Sequence, residues 1–389
     1  MGQAVLFTRR AEKSTAWPMN STRQPVNSTR RADRSTGQVV KFATRRMKSP
    51  AQAGRASRTA LLQPSLELPA SATAVSFLCS MPTSLRLIFM GTPDFAVPTL
   101  EALLGWPGGR VVAVVTAPDR PAGRGRQLQA SAVKQAAEGH GLPVLQPTNL
   151  KSPDFQAELK SYGADLQVVV AFRMLPEAVW NMPRLGSINI HASLLPQYRG
   201  AAPINWALIR GETETGVTSF FLRHEIDTGD LIFQDRVAIA PADDFGTLYE
   251  KLKLAGALLA RRSVEALTTG KAPSLPQQMS GDLRTAPKIQ KETGRLDFAQ
   301  SAPDLVNLVR GLSPFPTAFA PLPDGRILKI FRAEALPAGS EEALGTWATD
   351  GRRYLRVRAA DGWLGLLDVQ AEGKKRMDVE EFLRGNKIV

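Results

Sequence analysis

The sequence predicts an α/β chain in which a doubly wound, mostly parallel sheet is followed by a small C-terminal β-barrel. Two observations carry this. Short, mostly apolar runs at 85–90, 111–115 and 165–172 alternate with helical patterns, as strands do when helices cover both faces of their sheet. Toward the C-terminus the pattern changes to short alternating segments at about 327–335, 344–349, 353–358 and 363–369. Turn pairs such as Asp324-Gly325 and Asp361-Gly362 part them, which suits a small barrel. A chain of 389 residues has room for two or more domains. We divide it into an extension at 1–80, a sheet domain at 81–270, a linker at 271–300 and a β-domain at 301–389.

In order, the strand 85–90 ends at Gly91, and a helix over 95–104 follows with Asp94 as its N-cap. The strand 111–115 comes after the turn Pro107-Gly108-Gly109. No G-x-G-x-x-G follows the first strand, which argues against a dinucleotide site. Residues 117–129 are rich in Pro, Gly and Arg and read as an irregular loop. A helix over 132–138, a strand at 143–145 and a helix near 154–162 lead to the strand 165–172. Phe245, Leu248, Leu252, Leu254 and Leu258 suit a helix covering the sheet. Residues 271–300 lack periodicity and read as the crossing to the second domain. That domain starts with a helix over 302–310 and ends with one capped by Asp378 and Glu381.

Charge and composition narrow the function. The formal charge is +13, but residues 1–80 hold 13 basic and 3 acidic residues and so carry +10 of it. The remainder is only mildly basic, so an RNA site there must be a local patch. The acidic-poor, Arg- and Ser-rich residues 1–80 read as a transit peptide or as sequence translated from a start codon placed too early. The second reading is favoured, because Met81 stands just before the first strand. A single cysteine, Cys79, excludes a disulfide framework, and three histidines without an H-x-x-x-H spacing predict no catalytic metal. No apolar run is long enough to span a bilayer.

The stretch most laden with chemistry is GSINIHASLLPQYRG at 186–200. Strand alternation puts Ile188 and Ile190 on one face and sends Asn189 and His191 to the other. The loop 193–200 and a helix starting at Pro203 place this pair at the carboxyl end of the strand, where open parallel sheets bind ligands. An isolated Asn and His there would suit a structural hydrogen bond. Asp227, between strands expected at 215–222 and 230–239, adds a carboxylate. The three form a set able to polarise a carbonyl and move protons.

Asn189-Ile190-His191, the run SLLPQYRGAAPI at 193–204 and Ile226-Asp227-Thr228-Gly229-Asp230 resemble the core motifs of formyltransferases that use 10-formyltetrahydrofolate. FMGTPDFA at 89–96 and APDRPAGRG at 117–125 are similar to the branch acting on methionyl-tRNA. The resemblance runs from about residue 85 to the C-terminus. It implies transfer of a formyl group to the α-amino group of methionine on initiator methionyl-tRNA, for translation initiation, with Asn189, His191 and Asp227 catalytic. Asn189 would donate to the formyl oxygen, His191 would assist it or take the amine proton, and Asp227 would orient His191 or a water. The folate pocket would be lined by Phe172, Arg173, Met174 and Leu175 and by Ser193, Leu194, Leu195 and Pro196. The family usually has Gly where this chain has Arg173.

For tRNA, the resemblance points to the loop with Arg120, Arg124 and Arg126, of which Arg124 falls on the position the family uses at the acceptor stem. The OB-like barrel would contribute Arg356 and Arg358, with Lys374, Lys375 and Arg376 beside them. It further implies a monomer in a bacterial-type cytoplasm, or in an organellar matrix if residues 1–80 are a genuine transit peptide. A formyltransferase acting on a small amine, such as a nucleotide sugar or purine precursor, would share the three catalytic residues. Against it stand the arginine-bearing loop and the barrel. A non-catalytic tRNA- or folate-binding protein would tolerate loss of the three residues, and all are present.

Overall fold

A computed structural model describes residues 84–122, 127–279, 281–339 and 342–388. The extension at 1–80 with Cys79, Met81, Arg124 and Arg126 lie outside the described residues. The first half runs β1 (Leu85–Gly91), α1 (Val97–Leu104), β2 (Gly109–Val115), β3 (Arg120–Ala122), β4 (Gln127–Gln129), α2 (Ala132–Gly139) and β5 (Val144–Leu145). Next come α3 (Pro153–Ser161), β6 (Leu166–Val170), α4 (Glu177–Trp180), β7 (Ser187–His191), β8 (Arg199–Gly200), α5 (Pro203–Ile209), β9 (Glu214–Phe221), β10 (Leu231–Ala238) and α6 (Phe245–Thr268). The remainder is β11 (Thr285–Ala286), α7 (Ala302–Leu312), β12 (Ala318–Pro321), β13 (Ile327–Pro337), β14 (Trp347–Thr349), β15 (Leu355–Arg358), β16 (Gly362–Ala371), β17 (Met377–Asp378) and α8 (Val379–Arg384).

The expected doubly wound, Rossmann-like sheet is present, with strand order β10-β9-β7-β6-β1-β2-β5. The five strands from β7 to β5 are parallel, and β9 and β10 extend the sheet antiparallel at one edge. The order reverses between β1 and β6, so their carboxyl ends and that of β7 open onto the ligand crevice of such sheets. Both faces are covered. Leu87, Phe89, Val168, Ile188 and Ile190 pack with α1 and α6, whereas Ile88, Met90 and Val169 pack with Phe155 and Leu159 of α3. Burial of both faces is why these strands read as mostly apolar runs.

The C-terminal part is a small antiparallel β-domain with the ladder β12-β13-β16-β15-β14, and β17 pairs with β16. Its own core joins Leu328, Ile330, Leu355, Val357 and Leu364 to Leu305 and Leu312 of α7 and Phe382 of α8. Helix α5 connects the two parts, because Trp206 and Ile209 pack against this second core and the buried Asn205 amide donates to the Gly311 carbonyl at 2.7 Å.

Three local expectations are corrected. Asp94 does not cap a helix: a 3-10 turn at Asp94–Ala96 precedes α1, and the Asp94 carboxylate accepts from the Tyr249 hydroxyl at 2.7 Å. Residues 117–129 are not wholly irregular, since β3 and β4 pair as a short antiparallel hairpin. Leu254 and Leu258 lie on the outer face of α6, 58% and 70% exposed, while Leu248 and Leu252 carry the packing.

Candidate active site

Strand β7 delivers Asn189 and His191 to one face of the sheet, opposite Ile190, which packs beneath α6. His191 is buried, and its Nε2 lies 2.9 Å from the backbone carbonyl of Tyr198. A carbonyl oxygen only accepts, so Nε2 carries the hydrogen and the lone pair of the neutral ring sits on Nδ1. Nδ1 faces the Asp227 carboxylate at 3.8 Å. That is too long for a direct hydrogen bond and suits a proton donor held between them. The half-buried Asn189 side-chain amide has no hydrogen-bond partner among the described residues, which leaves its N–H groups free for a ligand.

Asp227 occupies a turn with φ +56, in the left-handed region that L-residues rarely adopt. Two residues on, a side chain at Gly229 would collide with the Phe221 carbonyl oxygen, so only glycine closes the turn against β9. The turn aims the Asp227 carboxylate inward, where Oδ2 accepts from the Gly200 backbone N–H at 3.0 Å. Gly200, at φ +122, backs onto Ala286, whose carbonyl oxygen would sit 2.6 Å from any Cβ there.

Residues 271–279 and 281–286 do not hang free. They line the outer side of the site. Leu275 pairs with Leu231, β11 pairs with β8, and the Arg284 carbonyl accepts from the Tyr198 N–H at 2.6 Å. Gln277 donates to the carbonyls of both Asp227 and Gly229 at 2.8 Å. The Tyr198 hydroxyl donates to Glu212, which also binds the Arg284 guanidinium. Burial, aided by the Glu212 carboxylate, pushes the Tyr198 phenol up to about 12.

The other sequence-predicted residues fall as follows. Strand β6 ends at Val170, Ala171 follows at φ +47, and Phe172 to Leu175 then line the carboxyl end of the strand, with Met174 exposed and Leu175 buried. Arg173 donates to the carbonyls of Pro147 and Thr148 and stacks on Phe172. Burial and then the neighbouring Arg120 charge ease its proton affinity downward. In the 193–196 loop, the Ser193 hydroxyl donates to the Gln197 carbonyl, and the buried Leu195 is held by Thr218 and Gln234. Leu194 and Pro196 remain half-exposed. Arg120 is exposed on β3. In the β-domain, Arg356 is sandwiched by the rings of Tyr354 and Trp363, and Arg358 donates to the carbonyls of Ala359 and Gly362. Sequence reasoning missed Gln277, Gly200 and the Tyr198 carbonyl. The last two act through the backbone, and Gln277 stands in an aperiodic stretch, so no side-chain pattern marks them.

Among the described residues no His, Cys, Asp or Glu cluster could hold a metal ion, and no helix is long and apolar enough to cross a membrane. Residues 85–262 match a family model described as formyl transferase, and residues 288–387 match one described as formyl transferase, C-terminal domain. The methionyl-tRNA formyltransferase of Bacteroides fragilis is 52% identical over 308 residues, covering 77% of this chain and 95% of that protein. That of Parabacteroides distasonis is 53% identical over 314 residues, covering 78% and 97%. Among solved structures, the N-formyltransferase from Helicobacter canadensis, in complex with folinic acid and dTDP-3-aminofucose, has a TM-score of 0.54 at 19% identity, covering 74% of this chain and 99% of that one. WlaRD, a sugar 3N-formyl transferase, has a TM-score of 0.53 at 17% identity, covering 75% and 100%. These two share the fold. Identity at half of all positions across nearly the whole length of the bacterial enzymes decides the rest, and the chain belongs to the methionyl-tRNA formyltransferase family.

Proposed function

We propose that Asn189, His191 and Asp227 transfer a formyl group from 10-formyltetrahydrofolate to the α-amino group of methionine on initiator methionyl-tRNA. The amine nitrogen attacks the formyl carbon, forming a C–N bond and a tetrahedral intermediate whose charge falls on the formyl oxygen. The Asn189 amide, without a hydrogen-bond partner among the described residues, donates to that oxygen. With Nε2 committed to the Tyr198 carbonyl, Nδ1 of His191 takes the amine proton, and Asp227 stabilises the resulting imidazolium. The proton then passes to the folate nitrogen as its bond to the formyl carbon breaks. The observation that carries this reading is the Nδ1–Asp227 gap of 3.8 Å, sized for a shared proton donor.

The folate pocket is assigned to the end of β6, at Phe172, Arg173, Met174 and Leu175, and to the loop Ser193, Leu194, Leu195 and Pro196. Support comes from their place beside the strand-order reversal. Arg173 is occupied with two backbone carbonyls, which fits a wall-forming role. The tRNA contacts are assigned to the β3–β4 hairpin with Arg120, Arg124 and Arg126, and to the β-domain with Arg356 and Arg358. In domain terms, residues 81–270 catalyse, 271–300 connect and 301–389 bind tRNA. The test is an assay with labelled 10-formyl donor and three acceptors: charged initiator tRNA, charged elongator tRNA and free small amines. Formylation of initiator methionyl-tRNA well above the others is expected. Formylation of the small amines alone would assign the chain to the rival reading.

A further inference from the structure

Gln277 lies between the two spans that match family models, 85–262 and 288–387. Its side chain nonetheless reaches the Asp227 turn. Nε2 donates one hydrogen to the Asp227 carbonyl and the other to the Gly229 carbonyl, both at 2.8 Å. Its Oε1 accepts from the Arg199 guanidinium, including Nε at 3.2 Å. Every hydrogen-bonding hand of the carboxamide facing the protein is therefore in use. Arg199 immediately precedes Gly200, whose N–H holds the Asp227 carboxylate. One amide thus ties together the two chain segments that set where the carboxylate stands. The Asp227 turn needs such a tie, because a non-glycine residue at φ +56 persists only where its surroundings hold it.

We propose that Gln277 is a positioning residue for Asp227. This rests on the catalytic reading of Asp227 given above. Gln277 touches no reacting atom. It acts by fixing the turn so that Oδ2 stays on the Gly200 N–H and within reach of His191 Nδ1. Because it sits in the segment leading to the β-domain, it also makes the geometry of the catalytic carboxylate depend on how that segment lies against the sheet domain.

The test is a double-mutant cycle with Gln277→Met, Asp227→Asn and the double variant, reading kcat and KM for both substrates. Met keeps the side-chain length but provides no donors and no charge. Gln277→Met should lower kcat roughly 10-fold while each KM stays within about 3-fold, since the loss concerns the transition state. Asp227→Asn should lower kcat on the order of 10²-fold. In the double variant kcat should lie within about 2-fold of Asp227→Asn alone, because residues acting as a unit are not additive. If Gln277→Met fails to fold, Gln277→Glu takes its place, keeping the Arg199 contact while lacking both N–H donors. Independent, multiplicative losses, or an unchanged kcat in the Gln277 variant beside a slow Asp227→Asn, would overturn the positioning role alone. A fully active Asp227→Asn would overturn both this role and the catalytic reading.

Discussion

Tyr198 shows how closely the site depends on single residues. Its backbone, at φ +60, presents the carbonyl that fixes the His191 tautomer, while its buried hydroxyl is bonded to Glu212. Folding raises its phenol from the usual 10.0 to about 12, chiefly through burial. A group whose folded value lies above its unfolded one contributes stability below the unfolded value and loses it as the pH rises through the folded value. Tyr198 therefore stabilises the fold below about pH 10, and that contribution disappears between about pH 10 and about pH 12. Melting temperatures at about pH 8 and about pH 11 should accordingly fall further for the natural protein than for Tyr198→Phe. Equal falls would place the phenol outside the linkage. At this scale much was legible from sequence: Asn189, His191 and Asp227 are motif side chains, and the structure brings His191 and Asp227 face to face. What remained hidden were groups with no side-chain signature. The Gly200 N–H and the Tyr198 carbonyl are backbone, and Gln277 becomes visible only when a distant segment folds back.

Among elements, the strands and long helices were the readable part because burial imposes periodicity on them. Strand β9 at Glu214–Phe221 and strand β10 at Leu231–Ala238 lie within a residue or so of the expected 215–222 and 230–239. The 117–129 hairpin and the 271–286 segment were less readable. The hairpin is too short for a pattern, and the segment is held by scattered polar contacts rather than an apolar face. Leu254 and Leu258 misled for another reason: they are apolar residues on an outer helical face, where burial does not select. The α5–α7 crossing offers an element-scale test. A Cβ at Gly311 would sit 2.5 Å from Ile209 Cγ1 and 3.0 Å from the Asn205 carbonyl, so these helices meet at a spacing only glycine permits. Gly311→Val should destabilise the protein by about 1–3 kcal/mol through overpacking, read as a lower denaturant midpoint. An unchanged midpoint would mean that the helices separate freely. The hairpin loop supplies a functional test. Arg124→Ala should reduce formylation of initiator tRNA more than of elongator methionyl-tRNA, because a side chain placed at an RNA end reads its shape. Equal losses on both tRNAs would make the loop a general basic contact.

Across the molecule, two hydrophobic cores meet at α5, which starts directly behind the 193–200 loop. Any tRNA held by the β-domain is therefore presented to a site whose supports include segments from both sides. The net charge outside residues 1–80 is small, so recognition must rest on concentrated contacts rather than a diffuse field. Arg356, stacked between Tyr354 and Trp363, is the residue we propose for one such contact. Arg356→Ala should weaken binding of all tRNAs alike and reduce the slope of log affinity against log salt by about 1, as expected for a lost phosphate contact. An unaltered slope would move the RNA surface elsewhere. We assign the chemistry itself to the 189–191 strand end and the Asp227 turn. This assignment is tested most directly by the single-turnover rate of formyl transfer to initiator methionyl-tRNA in His191→Ala, measured beside its circular dichroism and melting temperature. A folded variant slowed on the order of 10²-fold or more is the predicted result. A folded His191→Ala protein that transfers the formyl group at a near-normal rate would contradict it.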